Sequence, residues 1–367
     1  MNTQIQDKFT FKNGQTMRNR VVLAPMTICA SEPGGYVSQA DIDFFARRSR
    51  SVGMVITGST YVHPLGKSFA ESFSGAEDDK IEGLSRLAKA IKDQGALAIV
   101  QLYHGGRMVL PDLIDGQPVA PSAVKAPRDY LAEPRALKNA EVEQVIEDFL
   151  SAIRRAIQAG FDGVELHGAN TYLIQQFVSP HSNVRQDKWG GSLNNRLRFP
   201  KTLLKRAKQL VKEEADRPFL IGYRFSPEEV EEPGIQLYDT LQLLEQLIYH
   251  QVDYLHISTS DVWRSSIRDS QDSEPVIQKI IKKINNRVPL IGVGQIETKQ
   301  DAQRVLDAGI PLFALGKALL LDPDWAEKVV SGREEEVIRT YRDELQADLA
   351  LPTAFVEDAR SYLEGKD

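Results

Sequence analysis

Eight apolar runs constrain the fold of this chain more than any other feature. They begin near residues 21, 53, 97, 164, 219, 253, 289 and 311, and each precedes a segment with helical patterning. Runs this continuously apolar read as strands buried on both faces, as in parallel sheets. Eight β-then-α units in one chain predict an α/β fold of the TIM (β/α)8 barrel type. A doubly wound sheet fits less well, because no G-x-G-x-x-G follows the first strand and eight regular units suit closure. The 367 residues read as one domain, with the barrel over about residues 18–330 and a helical extension over 331–367.

Local signals refine this. Asn13-Gly14, inside Phe9 to Met17, is a two-residue hairpin signal ahead of the first strand. The hairpin is expected to plug the barrel's N-terminal mouth. Ser38 and Asp41 form a capping-box pattern that opens a helix over 39–51. Further helices are expected over 77–94, 141–159, 193–214, 237–251, 276–284 and 298–308, then 325–346 and 353–363 in the extension. Leu110 to Leu137, with five prolines, reads as an irregular insertion.

Composition narrows the function classes. A net charge of −6 gives no reason to expect a nucleic-acid or membrane partner. No window approaches the roughly 20 apolar residues of a membrane span. The single cysteine, Cys29, excludes internal disulfides, thiolate zinc sites and four-cysteine iron–sulfur clusters, so no metal site is expected. The first residues show no signal-peptide pattern, and a cytoplasmic location is the default expectation.

In such a barrel the C-terminal strand ends converge on one site. The polar residues there are Thr27, Gly58, Gln101, His167 with Asn170 and Tyr172, Arg224, Gly292 with Gly294, and Gly316 with Lys317. Glycines after strands seven and eight, beside a helix starting near Lys317, suit a phosphate. The plainer alternative is that they are tight turns. Arg224 follows a buried strand and needs an anionic partner, either a ligand or a salt bridge to Glu165 or Asp253. Thr27 and Gln101 could each be satisfied core groups. His167 and Asn170 can both donate to one oxygen, with Tyr172 nearby as a proton donor. That set suits an activated carbonyl compound taking up a proton. A packing role for His167 alone stays open, and a zinc reading lacks a third ligand.

At these residues the chain resembles the Old Yellow Enzyme family of FMN-dependent ene-reductases. The resemblance rests on APMT (Ala24 to Thr27), VQLYHGGR (Val100 to Arg107), the block from Ala159 to Phe199, GVGQI (Gly292 to Ile296) and ALGKALLLDPDW (Ala314 to Trp325). It implies FMN at the top of the barrel, with its phosphate on Gly294, Gly316 and Lys317. It places Pro25, Met26 and Gly58 along the isoalloxazine, Thr27 at O4, Gln101 at the pyrimidine edge and Arg224 near N1 and O2. His167 and Asn170 would hold the oxygen of an enone or nitro substrate, and Tyr172 would donate the proton. The implied reaction is ping-pong. NADH or NADPH reduces FMN, and N5 then delivers hydride to the β-carbon.

Two positions depart from the family pattern. Lys317 stands where many members have Arg, and Cys29 where some bacterial members have Tyr. A homo-oligomer is compatible with the pattern, since some relatives receive an arginine from a partner's C-terminus. Arg342 and Arg360 are candidates for that role. The alternatives are a non-flavin barrel enzyme acting on a phosphorylated small molecule, and a flavin-binding protein without turnover.

Overall fold

A computed structural model describes residues 3–364. Eight parallel strands close into a barrel in sequence order. They are β1 (Val21–Leu23), β2 (Met54–Tyr61), β3 (Leu97–Tyr103), β4 (Gly163–Gly168), β5 (Leu220–Phe225), β6 (Tyr254–Ile257), β7 (Leu290–Val293) and β8 (Leu312–Leu315). Closure comes from β8 pairing with β1, Leu315 opposite Leu23. The helices that follow the strands are α1 (Gln39–Ser49), α2 (Ile81–Asp93), α3 (Asn139–Gln158), α4 (Arg198–Glu214), α5 (Leu237–Tyr249), α6 (Val276–Ile284), α7 (Lys299–Asp307) and α8 (Lys317–Leu321). This is the predicted (β/α)8 fold.

The cause is visible strand by strand. Alternate residues point inward and outward, and both sets are apolar over most of each strand. The outward set packs on the helices in one large cluster that includes Val55, Ala98, Val164, Ile221 and Leu255. The inward set near the strand starts forms a second cluster of Met54, Ile56, Ile99, Leu220, Tyr254, Ile291 and Leu312.

Phe11 and Met17 from the N-terminal hairpin complete that inner cluster. The hairpin therefore plugs the barrel where expected. Its turn is wider than the Asn-Gly signal suggests. Phe9–Thr10 pairs with Thr16–Met17, and the Phe11 N–H donates to the Gln15 carbonyl at 2.8 Å. A wider loop lets Phe11 turn inward, where it is only 4% exposed.

Two expected helices are divided. The 193–214 segment splits at Leu197 into Leu193–Arg196 and α4. Pro200, which has no N–H, is tolerated because it falls in the first turn of α4. The 325–346 segment is helical only over Trp325–Val330. Gly332, at φ +77°, ends it, and two short turns follow at Glu334–Glu336 and Asp343–Leu345. The final helix, Thr353–Glu364, packs against α8. Among the described residues, no helix is long and apolar enough to cross a membrane.

Candidate active site

Toward the C-terminal strand ends the inward residues change from apolar to polar. Strand register arranges them in two adjacent rows. Ser59 on β2 lies opposite Gln101 on β3, which lies opposite Glu165 on β4. One step higher, His167 lies opposite Arg224 on β5, which lies opposite His256 on β6. Glu165 and His167 share a face because strand side chains alternate with a period of two.

The lower row is internally satisfied. Gln101 donates from Nε2 to Glu165 Oε1 at 2.8 Å, and its Oε1 lies 3.2 Å from the Ser59 hydroxyl. A carboxylate only accepts, so the Gln101 amide has one orientation here. Glu165 Oε2 lies 3.0 Å from His256 Nδ1. Burial pushes the Glu165 carboxyl up, but His256, Arg224 and Gln101 together outweigh burial and hold it below its ordinary range. Burial drives His256 down against the pull of Glu165, and because a carboxylate only accepts, Nδ1 carries the hydrogen toward Glu165.

The upper row is not satisfied. His167 is 2% exposed, and its Nδ1 is buried without a hydrogen-bond partner. Arg224 Nε is likewise buried and unpartnered. No carboxylate lies within 4.0 Å of the Arg224 guanidinium among the described residues. Glu165 is engaged by His256, and Asp253 by Lys208 at 2.8 Å. The salt bridge weighed for Arg224 from sequence does not form. A buried, unpaired guanidinium is costly unless a ligand completes it. Burial, with Arg224 and His256 adding to it, takes His167 well below its ordinary value, so it is neutral and has one N–H to give.

Tyr172 follows β4 with its ring 4.9 Å from that of His167, edge to face. Burial pushes its hydroxyl up to about 12, which keeps the proton on. Asn170 is exposed and adopts a left-handed φ of +55°. Its backbone N–H donates to Ser226 Oγ at 3.0 Å, and its Oδ1 accepts from Ser258 Oγ at 2.8 Å. Among the described residues, its Nδ2 group has no hydrogen-bond partner.

The first two strands supply a flat wall. β2 is irregular between Ile56 and Ser59. A Cβ on Gly58 would lie 2.6 Å from the Met26 carbonyl, so only glycine lets the Pro25–Thr27 segment pass so close. Thr27 Oγ1 accepts from the Ser59 N–H at 3.1 Å and keeps its own hydrogen free.

The proposed phosphate residues have different local surroundings. Gly294, at φ +110°, packs against the Ser260–Asp261 backbone, which a Cβ would meet at 2.7 Å. Gly316 caps α8, whose first residue is Lys317. Lys317 Nζ sits 5.0 Å from the Tyr362 ring centre and has no carboxylate partner among the described residues. Gly292 faces Val262, Val305 and Ile310, on the helical side of β7. Its side-chain position serves packing.

Sequence reasoning named Glu165 only as a salt-bridge candidate, and it missed Ser59 and His256. The available signal was the period-two alternation of Glu165 with His167 and of Tyr254 with His256.

Fold and site define a TIM-barrel enzyme with a cationic, hydrogen-bonding ligand end. The chain belongs to the NADH:flavin oxidoreductase / NADH oxidase family, whose model matches residues 7–336. That family is one of FMN-binding oxidoreductases, and the solved structures this chain resembles include Old Yellow Enzyme homologues. The chain is 45% identical over 332 residues to a probable NADH-dependent flavin oxidoreductase, YqiG, of Bacillus subtilis, covering 90% of this chain and 89% of that one. It is 47% identical over 340 residues to an NADH:fumarate oxidoreductase of Klebsiella pneumoniae, covering 92% of this chain. It is 43% identical over 359 residues to an NADH:acrylate oxidoreductase of Vibrio harveyi, covering 96% of this chain. The matched regions are only 37% and 36% of those two longer proteins. Among solved structures, the Old Yellow Enzyme homologue of Zymomonas mobilis superposes with a TM-score of 0.81 at 25% identity, covering 96% of this chain and 99% of that one.

Proposed function

We propose that the chain is an NAD(P)H-dependent ene-reductase acting on α,β-unsaturated carbonyl or nitro compounds. The observation that carries this is the upper row of the site. His167 has a buried, unpartnered ring nitrogen, Tyr172 is held protonated beside it, and Arg224 is a buried cation with no carboxylate within 4.0 Å among the described residues.

The residues present fit FMN. Arg224 offers a fixed positive charge to the pyrimidine end, where reduced flavin is anionic. Gln101, locked by Glu165, and the free hydrogen of Thr27 offer hydrogen bonds to the ring edge. Pro25, Met26 and Gly58 form the flat wall. Gly294, Gly316 and Lys317 would hold the phosphate. FMN held there would supply the hydride-transfer chemistry between nicotinamide and alkene.

The chain's own residues do the rest. Neutral His167 and the Nδ2 group of Asn170 each donate to the substrate's carbonyl or nitro oxygen. Those hydrogen bonds draw electron density off the alkene and fix its orientation. The hydroxyl of Tyr172 gives its proton to the α-carbon. The names of the two longer relatives add unsaturated acids, fumarate and acrylate, to the candidate substrates of this chain.

The test is anaerobic NAD(P)H oxidation by purified yellow protein with cyclohexenone as acceptor. Saturated cyclohexanone should form in step with nicotinamide oxidation. A flavin that is reduced by NADH but never reoxidised by any enone or nitroalkene would refute the reading.

A further inference from the structure

A second group of polar residues lies beside the substrate position and has no part in the reading above. An open cleft runs from Asn170 past Ser226, Ser258 and Thr259 to Arg264, with Arg128 of the prolyl insertion also lining it. Arg264 is half-buried, and its Nε is fully buried without a hydrogen-bond partner. Neither Arg264 nor Arg128 has a carboxylate within 4.0 Å among the described residues.

The carboxylates of the cleft are engaged elsewhere. Glu228 accepts from Ser266 Oγ at 2.6 Å and the Ile267 N–H at 3.0 Å. Glu229 accepts from Gln175 at 2.6 Å and the Ile235 N–H at 3.1 Å. Glu231 lies 4.0 Å from Arg107.

The segment carrying Arg264 is held from both sides. Asp261 Oδ1 accepts the Trp263 N–H at 2.8 Å, and the Arg264 carbonyl accepts the Val276 N–H at 3.0 Å. Arg268 is tied to the carbonyls of Glu229 and Glu231 at 2.7 and 2.9 Å. The guanidinium is thus mounted on a fixed loop and cannot shed its charge. A planar fork so placed matches a carboxylate or phosphate oxygen pair.

We propose that Arg264, with Arg128 as an outer contact, forms an anion subsite for a negatively charged oxygen group on the ligand that occupies the active site. The inference deepens the ene-reductase reading and rests on it. The same chemistry has two sources, the carboxylate of an unsaturated acid and the diphosphate of the nicotinamide dinucleotide. The Ser226 hydroxyl, whose oxygen accepts the Asn170 N–H, would give its own hydrogen to either anion, whereas those of Ser258 and Thr259 are already given to Asn170 Oδ1 and the Asp261 carbonyl.

Arg264→Gln and Arg264→Lys holoenzymes test this against wild type. Oxidised flavin is titrated with p-hydroxybenzoate and with phenol, which need no turnover. The two half-reactions are followed by stopped flow with NADH, acrylate and cyclohexenone. If the subsite takes a carboxylate, Arg264→Gln weakens p-hydroxybenzoate and acrylate about tenfold, the worth of one charge-assisted hydrogen bond. Phenol, cyclohexenone and NADH are then unchanged. If it takes the diphosphate, only the NADH constant rises about tenfold. Arg264→Lys recovers part of either loss, because charge remains without the fork. Equal effects on charged and neutral probes, or no effect on any, overturn the proposal. If neither alkene is reduced by wild type yet p-hydroxybenzoate still discriminates the variants, the ene-reductase reading fails and the subsite stands.

Discussion

The two ends of this barrel are built from the same eight strands and differ in what is left unfinished. At the N-terminal end, Phe11 and Met17 fill the interior beside Tyr254, Met54 and Leu220. At the other end, two to four residues further along the same strands, His167 Nδ1 and Arg224 Nε are buried without partners. Close-packed interiors keep few such groups, because each costs free energy comparable to a lost hydrogen bond. One end is therefore finished for packing, and the other leaves groups that a ligand would satisfy. Substitutions should separate the two.

The sharpest separation comes from Tyr172→Phe. It should slow alkene reduction roughly a hundredfold or more, the scale of lost acid catalysis. Flavin reduction by NAD(P)H and thermal stability should hardly change, since among the described residues Tyr172 makes no hydrogen bond through its hydroxyl. Stopped-flow measurement of both half-reactions decides this. Equal slowing of both would remove Tyr172 from the proton-donor role.

Phe11→Ala is the converse. The ring is nearly fully buried and meets Phe9 edge to face at 4.9 Å between centroids. Its removal should cost about 3 kcal/mol of stability, as for other buried aromatic truncations. The turnover of protein that remains folded should stay as in wild type. Denaturant melts alongside assays on flavin-loaded protein test both halves. A loss of turnover with no loss of stability would mean that the plug shapes the ligand end.

The same contrast explains what could be read from sequence. Apolar continuity predicts eight strands because burial on both faces leaves no alternation to confuse with solvent exposure. The helix start at Ser38–Asp41 was legible because the cap chemistry is local. Helix ends in the polar extension were not, since Gly332 stops the chain by a backbone angle rather than by patterning. The ligand end was legible where a residue type is costly in a strand, as with Arg224 and His167. Its hidden half, Glu165 with His256 and Ser59, depends on register between strands far apart in sequence. The outward turn of Gly292 depends on the pleat. Neither is a local property.

Glu165 links the two ends, since its carboxylate lies above the apolar layer and beneath Arg224. Glu165→Gln would remove a negative charge close to that guanidinium and loosen the fixed orientation of Gln101. The cation at the pyrimidine end would then be less compensated, and the reduced, anionic cofactor more favoured. The midpoint potential should rise by roughly 30 mV, one tenfold step for a two-electron couple. Dye-equilibrated reductive titration gives the value, and a fall in potential would refute this role for Glu165.

The smallest expected effect is a flat response to pH. Tyr172 keeps its proton up to about 12 because it is buried, and an acid with a raised pKa is in its donating form throughout the range below. His167 lies well below its ordinary value through burial and Arg224, so above about pH 6 it stays neutral and keeps a single N–H. Neither group changes state between about pH 6 and 9, and the alkene half-reaction should vary less than about twofold there. An acidic limb near the ordinary histidine value would show that ligand binding restores charge to His167. The unpaired nitrogen at this end of the barrel would then be a site of proton uptake as well as a hydrogen-bond donor.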